Sequence, residues 1–213
     1  DFESASDVDI KVGAAAYAEH PSTRVLCLSW SVDDADPCTW APGEPLPADL
    51  LKYAADPDVR WYAWNCLFEH FMWQHHMVPL GFPSICIDRW MNTQAKAMLQ
   101  GLPAALDAAA KVLDMEQQKD AEGKRLMLAM AKGSPGDLNR LKVYCAQDVR
   151  TERALHAKLG DLPRREFAVY QVDKRINVRG VPIDMGFARL AAKAADDYQG
   201  EKAAEMQRRF KVN

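Results

Sequence analysis

The sequence lacks several features that would assign it to a membrane or secreted class. None of its apolar runs approaches the roughly 18 residues of a membrane-spanning helix. Its first residues contain neither the basic region nor the apolar stretch of a secretory signal. The chain also opens on a charged motif without an initiator Met, so we interpret it as a fragment that could have lost a targeting signal. We expect a cytoplasmic protein that does not contact a membrane.

Cysteine is scarce and scattered. The five residues include no C-x-x-C pair, and their number is odd. This pattern argues against a disulfide framework and against a zinc site, and it favours reduced, mostly buried thiols. The cysteines are Cys27, Cys38, Cys66, Cys86 and Cys145.

An excess of positive charge is missing too. Lys and Arg number 27 against 30 Asp and Glu, which gives a formal net charge of -3. A protein that coats duplex nucleic acid needs a broad basic surface, so this class is disfavoured, although a pocket for a few nucleotides remains compatible. With 213 residues, of which 48% are hydrophobic, the chain suits one large globular domain, or one domain with a small appendage.

Hydrophobic patterning predicts strands followed by helices. β-branched and aromatic residues indicate an antiparallel meander and then a separate buried strand. The meander comprises 1–4, 24–32 and 38–40, and the separate strand is 59–64. Asn65, a favoured N-cap, precedes a helical pattern that runs to Met77. Further predicted elements are a short strand at 85–87, helices at 48–55, 88–100, 102–113, 120–132, 137–159, 164–177 and 185–210, and a turn with a short strand at 178–184.

Carboxylates in three separate stretches are candidates for a site. Asp1 and Glu3 are two apart, so on a strand they share one face. Their mutual repulsion favours a hard cation between them, although a solvated strand end has the same pattern. Glu69 lies where the buried strand passes into a helix, a place where ligands gather in open sheets. Tyr144 and Asp148 are four apart and share one helix face.

Taken in order, the three stretches resemble a known family. Asp1-x-Glu3, Asn65-x-x-x-Glu69 and Tyr144-x-x-x-Asp148 resemble the motifs of the DEDD 3′→5′ exonucleases, in the branch with Tyr in the third motif (DEDDy). These enzymes belong to the ribonuclease-H-like (DnaQ-like) superfamily. The chain looks most like the proofreading domain of family A (DNA polymerase I-like) DNA polymerases of phages and bacteria. Supporting stretches are 17–23, 119–124, 144–149 and 173–184.

The resemblance implies an architecture and a context. It implies an α/β fold with a ribonuclease-H-like mixed sheet, an antiparallel meander plus a parallel strand, flanked by helices and followed by a helical extension. Residues 1–162 would be the exonuclease domain, and residues 163–213 a helical connection into a polymerase domain that is mostly absent. The expected partners are a single-stranded or frayed DNA 3′ end and the polymerase domain in cis. A monomer in a bacterial cell or phage-infected host is expected.

The resemblance also implies a two-metal hydrolysis of the last phosphodiester, with Mg²⁺ or Mn²⁺. Asp1, Glu3 and Asp148 would hold the first ion. Asp1 would bridge to the second ion, which Glu69 would support. Tyr144 would orient the attacking water, because a phenol with a pKa of about 10 is a poor base at neutral pH.

Ser4 and Asn65 match positions that contact the terminal nucleotide, and Phe68 is a further candidate for substrate binding. Phe68, Phe71 and Trp73 could stack on bases, and core packing is the competing interpretation for at least two of them. Three histidines, His70, His75 and His76, lie near Glu69. Their spacing does not place them on one helix face, so we do not expect a histidine metal site.

Two departures from the family pattern stand out. Glu69 replaces the usual Asp and reaches further by one methylene, which alters the expected coordination. The stretch 132–136 is shorter than the basic linker of many relatives, so a loop could be missing there.

Two alternatives stay open. One is an RNA 3′ exonuclease of the ribonuclease D type, which uses the same carboxylates; the stretch after Pro163 argues against it. The other is an exonuclease-like scaffold that has lost its metals, which the presence of all four carboxylates and Tyr144 disfavours.

Overall fold

The computed structural model describes residues 1–115 and 120–210. Antiparallel and parallel strands are flanked by helices, so the predicted α/β class is confirmed. The strands are β1 (Phe2–Ala5), β2 (Arg24–Trp30), β3 (Cys38–Trp40), β4 (Trp61–Ala63) and β5 (Trp90–Asn92). The helices are α1 (Ala14–Glu19), α2 (Ala48–Ala55), α3 (Cys66–Met72), α4 (Thr93–Leu99), α5 (Leu106–Val112), α6 (Ala121–Ala131), α7 (Leu138–Leu159), α8 (Arg164–Arg179) and α9 (Met185–Phe210).

The strands form two ladders. β1, β2 and β3 pair as an antiparallel sheet in chain order, which is the predicted meander. β4 and β5 pair in parallel, with Trp61 opposite Trp90 and Ala63 opposite Asn92. Parallel pairing requires a crossover, and α3 lies in that connection.

A register shift interrupts the pairing of β1 with β2. Glu3 pairs with Cys27, whereas the next residue, Ser4, pairs with Val25, so Leu26 has no partner on β1. Such bulges bend a strand and re-aim its side chains. This bulge lies directly beside Glu3, one of the predicted metal ligands.

Apolar side chains cover both faces of the antiparallel sheet. On one face Phe2 and Leu28 belong to the largest core, which also contains Trp73 of the segment after α3. On the other face Cys27 packs with Leu141 and Cys145 of α7. Because neighbouring residues of a strand point to opposite faces, burying Phe2 in the large core directs Glu3 toward α7.

The chain divides into two compact units, one ending at Val178 and the other beginning at Arg179. Almost all of α8 therefore belongs to the first unit. Two of its residues account for this: Lys174 is fully buried, and the Tyr170 hydroxyl lies 3.3 Å from the Cys66 sulfur. The division expected at residue 162 concerns function and stays a prediction.

Several local predictions need correction. Residues 85–87 do not form a strand; a 3₁₀ turn, Ile87–Arg89, precedes β5. The predicted helix 88–100 begins only at Thr93, because Trp90–Asn92 pair with β4. The short strand expected within 178–184 is not formed either.

Near the N-terminus of the chain and after β4, the structure adds detail to the predicted pattern of helices. The helix predicted to run to Met77 changes from α-helical to π-helical geometry at Trp73. The segment 10–19, for which the sequence suggested no helix, contains a 3₁₀ turn and α1. Lys119, part of one supporting stretch, lies outside the described residues. Within 1–115 and 120–210, no helix combines the length and apolar character that a membrane crossing requires.

Candidate metal and nucleotide site

The Asp1 and Glu3 side chains lie on the face of β1 that meets α7. One ligand atom from each of them and the Cys145 sulfur all lie within 4.8 Å of one another. Glu3 is buried, with 6% of its surface exposed. The Cys145 thiol donates to the Asp1 carboxylate over 3.4 Å. Two carboxylates this close, one of them buried, are a donor set that suits a hard divalent cation.

Helix α7 brings the third motif to the same place. Hydrogen bonding between Tyr144 and Asp148 lowers the pKa of the Asp148 carboxyl, although burial, the largest effect, leaves this pKa raised at about 6. Burial, with the nearby charges of Asp148 and Glu3, raises the pKa of the Tyr144 phenol above its ordinary value of 10. At neutral pH Tyr144 is therefore a neutral hydroxyl that donates a hydrogen bond.

Glu3 and Asp148 influence each other electrostatically. Burial raises the pKa of Glu3 to about 8, and the Asp148 charge adds to this effect. The amino group of Asp1 opposes the shift but is the smallest of the three contributions. Two carboxylates that resist ionisation together indicate a place where a cation would be stabilised.

Glu69 reaches the same region from α3. Its side chain is buried, with 6% exposure, and its Oε2 atom has no hydrogen-bond partner among the described residues. Burial raises its pKa to about 7. Glu69 and Asp1 both line a cavity of about 700 Å³. A buried carboxylate oxygen without a partner is costly, so this atom fits the role of a ligand to a bound cation.

A further carboxylate, Glu152, was missed by the sequence reasoning. It lies one helical turn beyond Asp148 and lines the same cavity as Glu69 and Asp1. The Thr93 hydroxyl donates to its Oε1 over 2.5 Å. Its negative charge adds to the rise in the pKa of Glu69. The signal in the sequence was the spacing, since Tyr144, Asp148 and Glu152 repeat every four residues along one helix face.

Of the residues expected to contact a terminal nucleotide, Ser4 and Phe68 both lie next to Tyr17, whereas Asn65 is exposed at the start of α3. The Ser4 and Tyr17 hydroxyls hydrogen-bond over 3.0 Å, and the Tyr17 ring lies 5.9 Å from the Phe68 ring. Phe68 is partly buried against the large core. Asn65 is exposed and, although it precedes α3, its side chain makes no capping hydrogen bond. The side chain of Asn65 is therefore available to a ligand.

A glycine on α6 makes room for Tyr144. A Cβ atom on Gly123 would lie 2.6 Å from the Tyr144 ring and 2.5 Å from the Asp120 carboxylate. Any larger residue would push the ring or the helix away. The sequence showed this Gly within the stretch 119–124, but only the structure gives its reason.

The three histidines near Glu69 make structural contacts instead of forming a cluster. His70 is buried, and burial lowers its pKa to about 4. His75 lies 3.6 Å from Glu19, and His76 hydrogen-bonds the Ala18 carbonyl over 2.9 Å.

Comparison with known proteins gives one curated relative. The chain is similar to a DNA polymerase of Bacillus phage SP02. The two sequences are 32% identical over 228 aligned positions, which cover 96% of this chain and 34% of the phage protein. The chain thus spans about a third of the length of the relative it matches. No family model matches the chain, and no solved structure matches it.

Proposed function

We propose that this chain is a 3′→5′ exonuclease that removes nucleotides from the 3′ end of DNA and serves as the proofreading part of a DNA polymerase. The observation that carries the proposal is the convergence of Asp1, Glu3 and the Tyr144–Asp148 pair at the contact between β1 and α7. The similarity to a phage DNA polymerase over almost the whole chain supports the polymerase context.

We infer that the site takes two divalent cations, Mg²⁺ or Mn²⁺, a proposal supported by the close approach of the Asp1 and Glu3 carboxylates. Asp1, Glu3 and Asp148 would hold one ion, and Asp1 with Glu69 would hold the other. When bound, such ions activate water and neutralise charge on the leaving oxygen. Burial raises the pKa of Glu3 to about 8 and that of Glu69 to about 7, so these two carboxyls would release protons if a cation bound at neutral pH.

The remaining groups position the reactants. Tyr144 holds its proton at neutral pH, so its hydroxyl orients the attacking water and does not act as a base. Asp148 accepts the Tyr144 hydrogen bond and fixes the phenol, and Gly123 leaves space for the ring. Ser4, Asn65 and Phe68 would hold the sugar and base of the last nucleotide.

The test is degradation of a 5′-labelled single-stranded DNA oligonucleotide with Mg²⁺, Mn²⁺ or EDTA. We expect a metal-dependent ladder of products, each one nucleotide shorter. Asp1→Asn and Asp148→Asn keep the side-chain size and should each lower the rate more than ~100-fold, beyond the usual effect of losing an outer-shell partner. Asp49→Asn, on α2, is the matched control and should leave the rate unchanged.

Two results would contradict the proposal. If the wild-type chain gives no products with either metal, also after Glu69→Asp, the scaffold alternative replaces it. If an RNA oligonucleotide is degraded faster than the DNA oligonucleotide, the ribonuclease alternative does.

A further inference from the structure

A second cavity, which shares Arg60 and Tyr62 with the cavity that Glu69 lines, has a basic and aromatic wall. Its volume is about 370 Å³, and it lies where β4, β5, α4 and the start of α8 meet. This volume falls within the range of small-molecule sites. Its lining includes Arg60, Tyr62, Lys96, Asp161, Arg164 and Phe167.

Positive charge exceeds negative charge in this lining. Lys96 donates to the Asp161 carboxylate over 2.7 Å, and this pair offsets one positive charge. Arg60 and Arg164 form neither an ion pair nor a side-chain hydrogen bond with any residue in the described ranges. Two guanidinium groups with unused donors suit an anion with several oxygens, and phosphate is the biological group of that kind.

Aromatic surface lies beside these charges. Tyr62 is 45% exposed and Phe167 is 37% exposed, although both line the cavity. The Tyr62 ring is held in place, because the His156 ring contacts it at 4.3 Å and the Lys96 ammonium lies 5.4 Å from its centre. An exposed ring with a fixed orientation loses little entropy when a flat ligand stacks on it.

We propose that this cavity binds a nucleotide, with its phosphate between Arg60 and Arg164 and its base against Tyr62 and Phe167. The nucleotide is either free or one unit of a single strand, since both carry the same phosphate and base. This site adjoins the cavity of the carboxylate site through Arg60 and Tyr62, but its lining contains none of the proposed metal ligands.

The negative charge of Asp161 should oppose phosphate binding, whereas the two arginines should favour it. The Asp161 side chain is 89% exposed and the Lys96 side chain 7%, so Lys96 is the buried member of the pair. Without the Asp161 charge, Lys96 would keep its 3.4 Å contact with His156 Nδ1, but its positive charge would no longer be offset and would attract the phosphate. Binding should therefore tighten in Asp161→Asn and weaken when the arginines are replaced.

The experiment measures binding to the full chain in EDTA at low salt, with dTMP and with a fluorescein-labelled oligothymidylate of about six nucleotides. Arg60→Gln with Arg164→Gln should weaken binding at least ~10-fold. Phe167→Ala should weaken it ~5-fold or more. Asp161→Asn should strengthen it ~2-fold or more.

Controls separate a site from general charge and from misfolding. Arg24→Gln with Lys52→Gln removes two exposed cations elsewhere in the same unit and should change affinity less than ~2-fold. Arg60→Lys with Arg164→Lys keeps the charge and should recover part of the affinity. Unchanged thermal unfolding would show that each variant is folded.

The outcomes decide between sources of the ligand. If the arginine variants weaken dTMP and the oligonucleotide equally, the site takes a free nucleotide; if only the oligonucleotide is weakened, it takes a unit of a strand. If neither is weakened, or the control pair has the same effect, the proposal is wrong. EDTA removes the metal on which the proposed hydrolysis depends, so failure of the exonuclease assay leaves this binding result intact.

Discussion

Burial of Glu3 in the folded protein opposes ionisation of its carboxyl, whereas binding a cation requires the ionised carboxylate. It is buried, and its pKa is raised from 4.5 to about 8. The folded state therefore binds more protons than the unfolded state between these two values. Without metal, the free energy of unfolding should fall as pH rises through this window, by up to ~1.4 kcal/mol per pH unit for one proton.

We expect Glu3→Gln to flatten this pH dependence and to raise stability at about pH 8 in EDTA. The measurement is urea unfolding at about pH 5 and about pH 8, with and without Mg²⁺. Added Mg²⁺ should stabilise the wild type more at the higher pH. Glu166→Gln, an exposed carboxylate on α8, should leave the slope as it is; equal slopes in wild type and Glu3→Gln would refute the prediction.

For individual residues, the sequence predicted most members of the candidate site. Spacing alone placed Asp1 with Glu3 and Tyr144 with Asp148 on common faces, because the periods of strands and helices are fixed. The same spacing places Glu152 on the helix face of Asp148, but only the tertiary structure shows its neighbours Thr93 and Glu69, which are distant in sequence. Gly123 was missed for the same reason: the ring it accommodates belongs to another helix.

Among the helices, α8 depends on one buried ammonium. Lys174 is fully buried and donates to the Ile87 carbonyl over 3.0 Å and to the Trp90 carbonyl. Its neighbour Arg175 is exposed and pairs with Asp88 through two hydrogen bonds, of 2.9 and 2.8 Å. We therefore expect the contacts of these two adjacent cations to contribute very differently to the free energy of unfolding.

Lys174→Met should lower the free energy of unfolding by ~2–3 kcal/mol, because it keeps the apolar stem but leaves buried carbonyls without a donor. Arg175→Met should cost less than ~1 kcal/mol, as expected for an exposed ion pair. Denaturant unfolding of both variants gives the comparison. Equal losses would mean that the Lys174 hydrogen bonds contribute nothing beyond a surface pair.

Helices were predicted better than short strands. The predicted helices 48–55 and 185–210 agree with α2 and α9 to the residue. A hydrophobic pattern that repeats over two or more helical turns identifies a helix more securely than a three-residue run identifies a strand. β5 was missed because Trp90–Asn92 is three residues long and runs directly into α4. Its pairing with β4 outweighs local propensity, and no local pattern reports such pairing.

The whole chain offers a test of where its first folding unit ends. The compact units of the structure divide after Val178, whereas the resemblance to exonuclease domains predicted a boundary after Leu162. A chain ending at residue 178 keeps the Lys174 and Tyr170 contacts, so it should unfold within about 3 °C of the full chain. A chain ending at residue 162 loses them and should unfold roughly 10 °C lower.

Scanning calorimetry of the three lengths decides this. If the two shorter chains unfold at the same temperature, α8 adds no stability and residue 162 is the better boundary.

The indoles of Trp61, Trp73 and Trp90 lie close together. Trp61 lies 5.2 Å from Trp73 and 5.7 Å from Trp90, and all three pairs are tilted or edge-on. Chromophores at such separations share their excited states, so the protein will show an exciton couplet in its far-ultraviolet circular dichroism. Helix content read from that spectrum will be distorted by it. The same couplet marks the packing of β4 and β5 optically, without any added label.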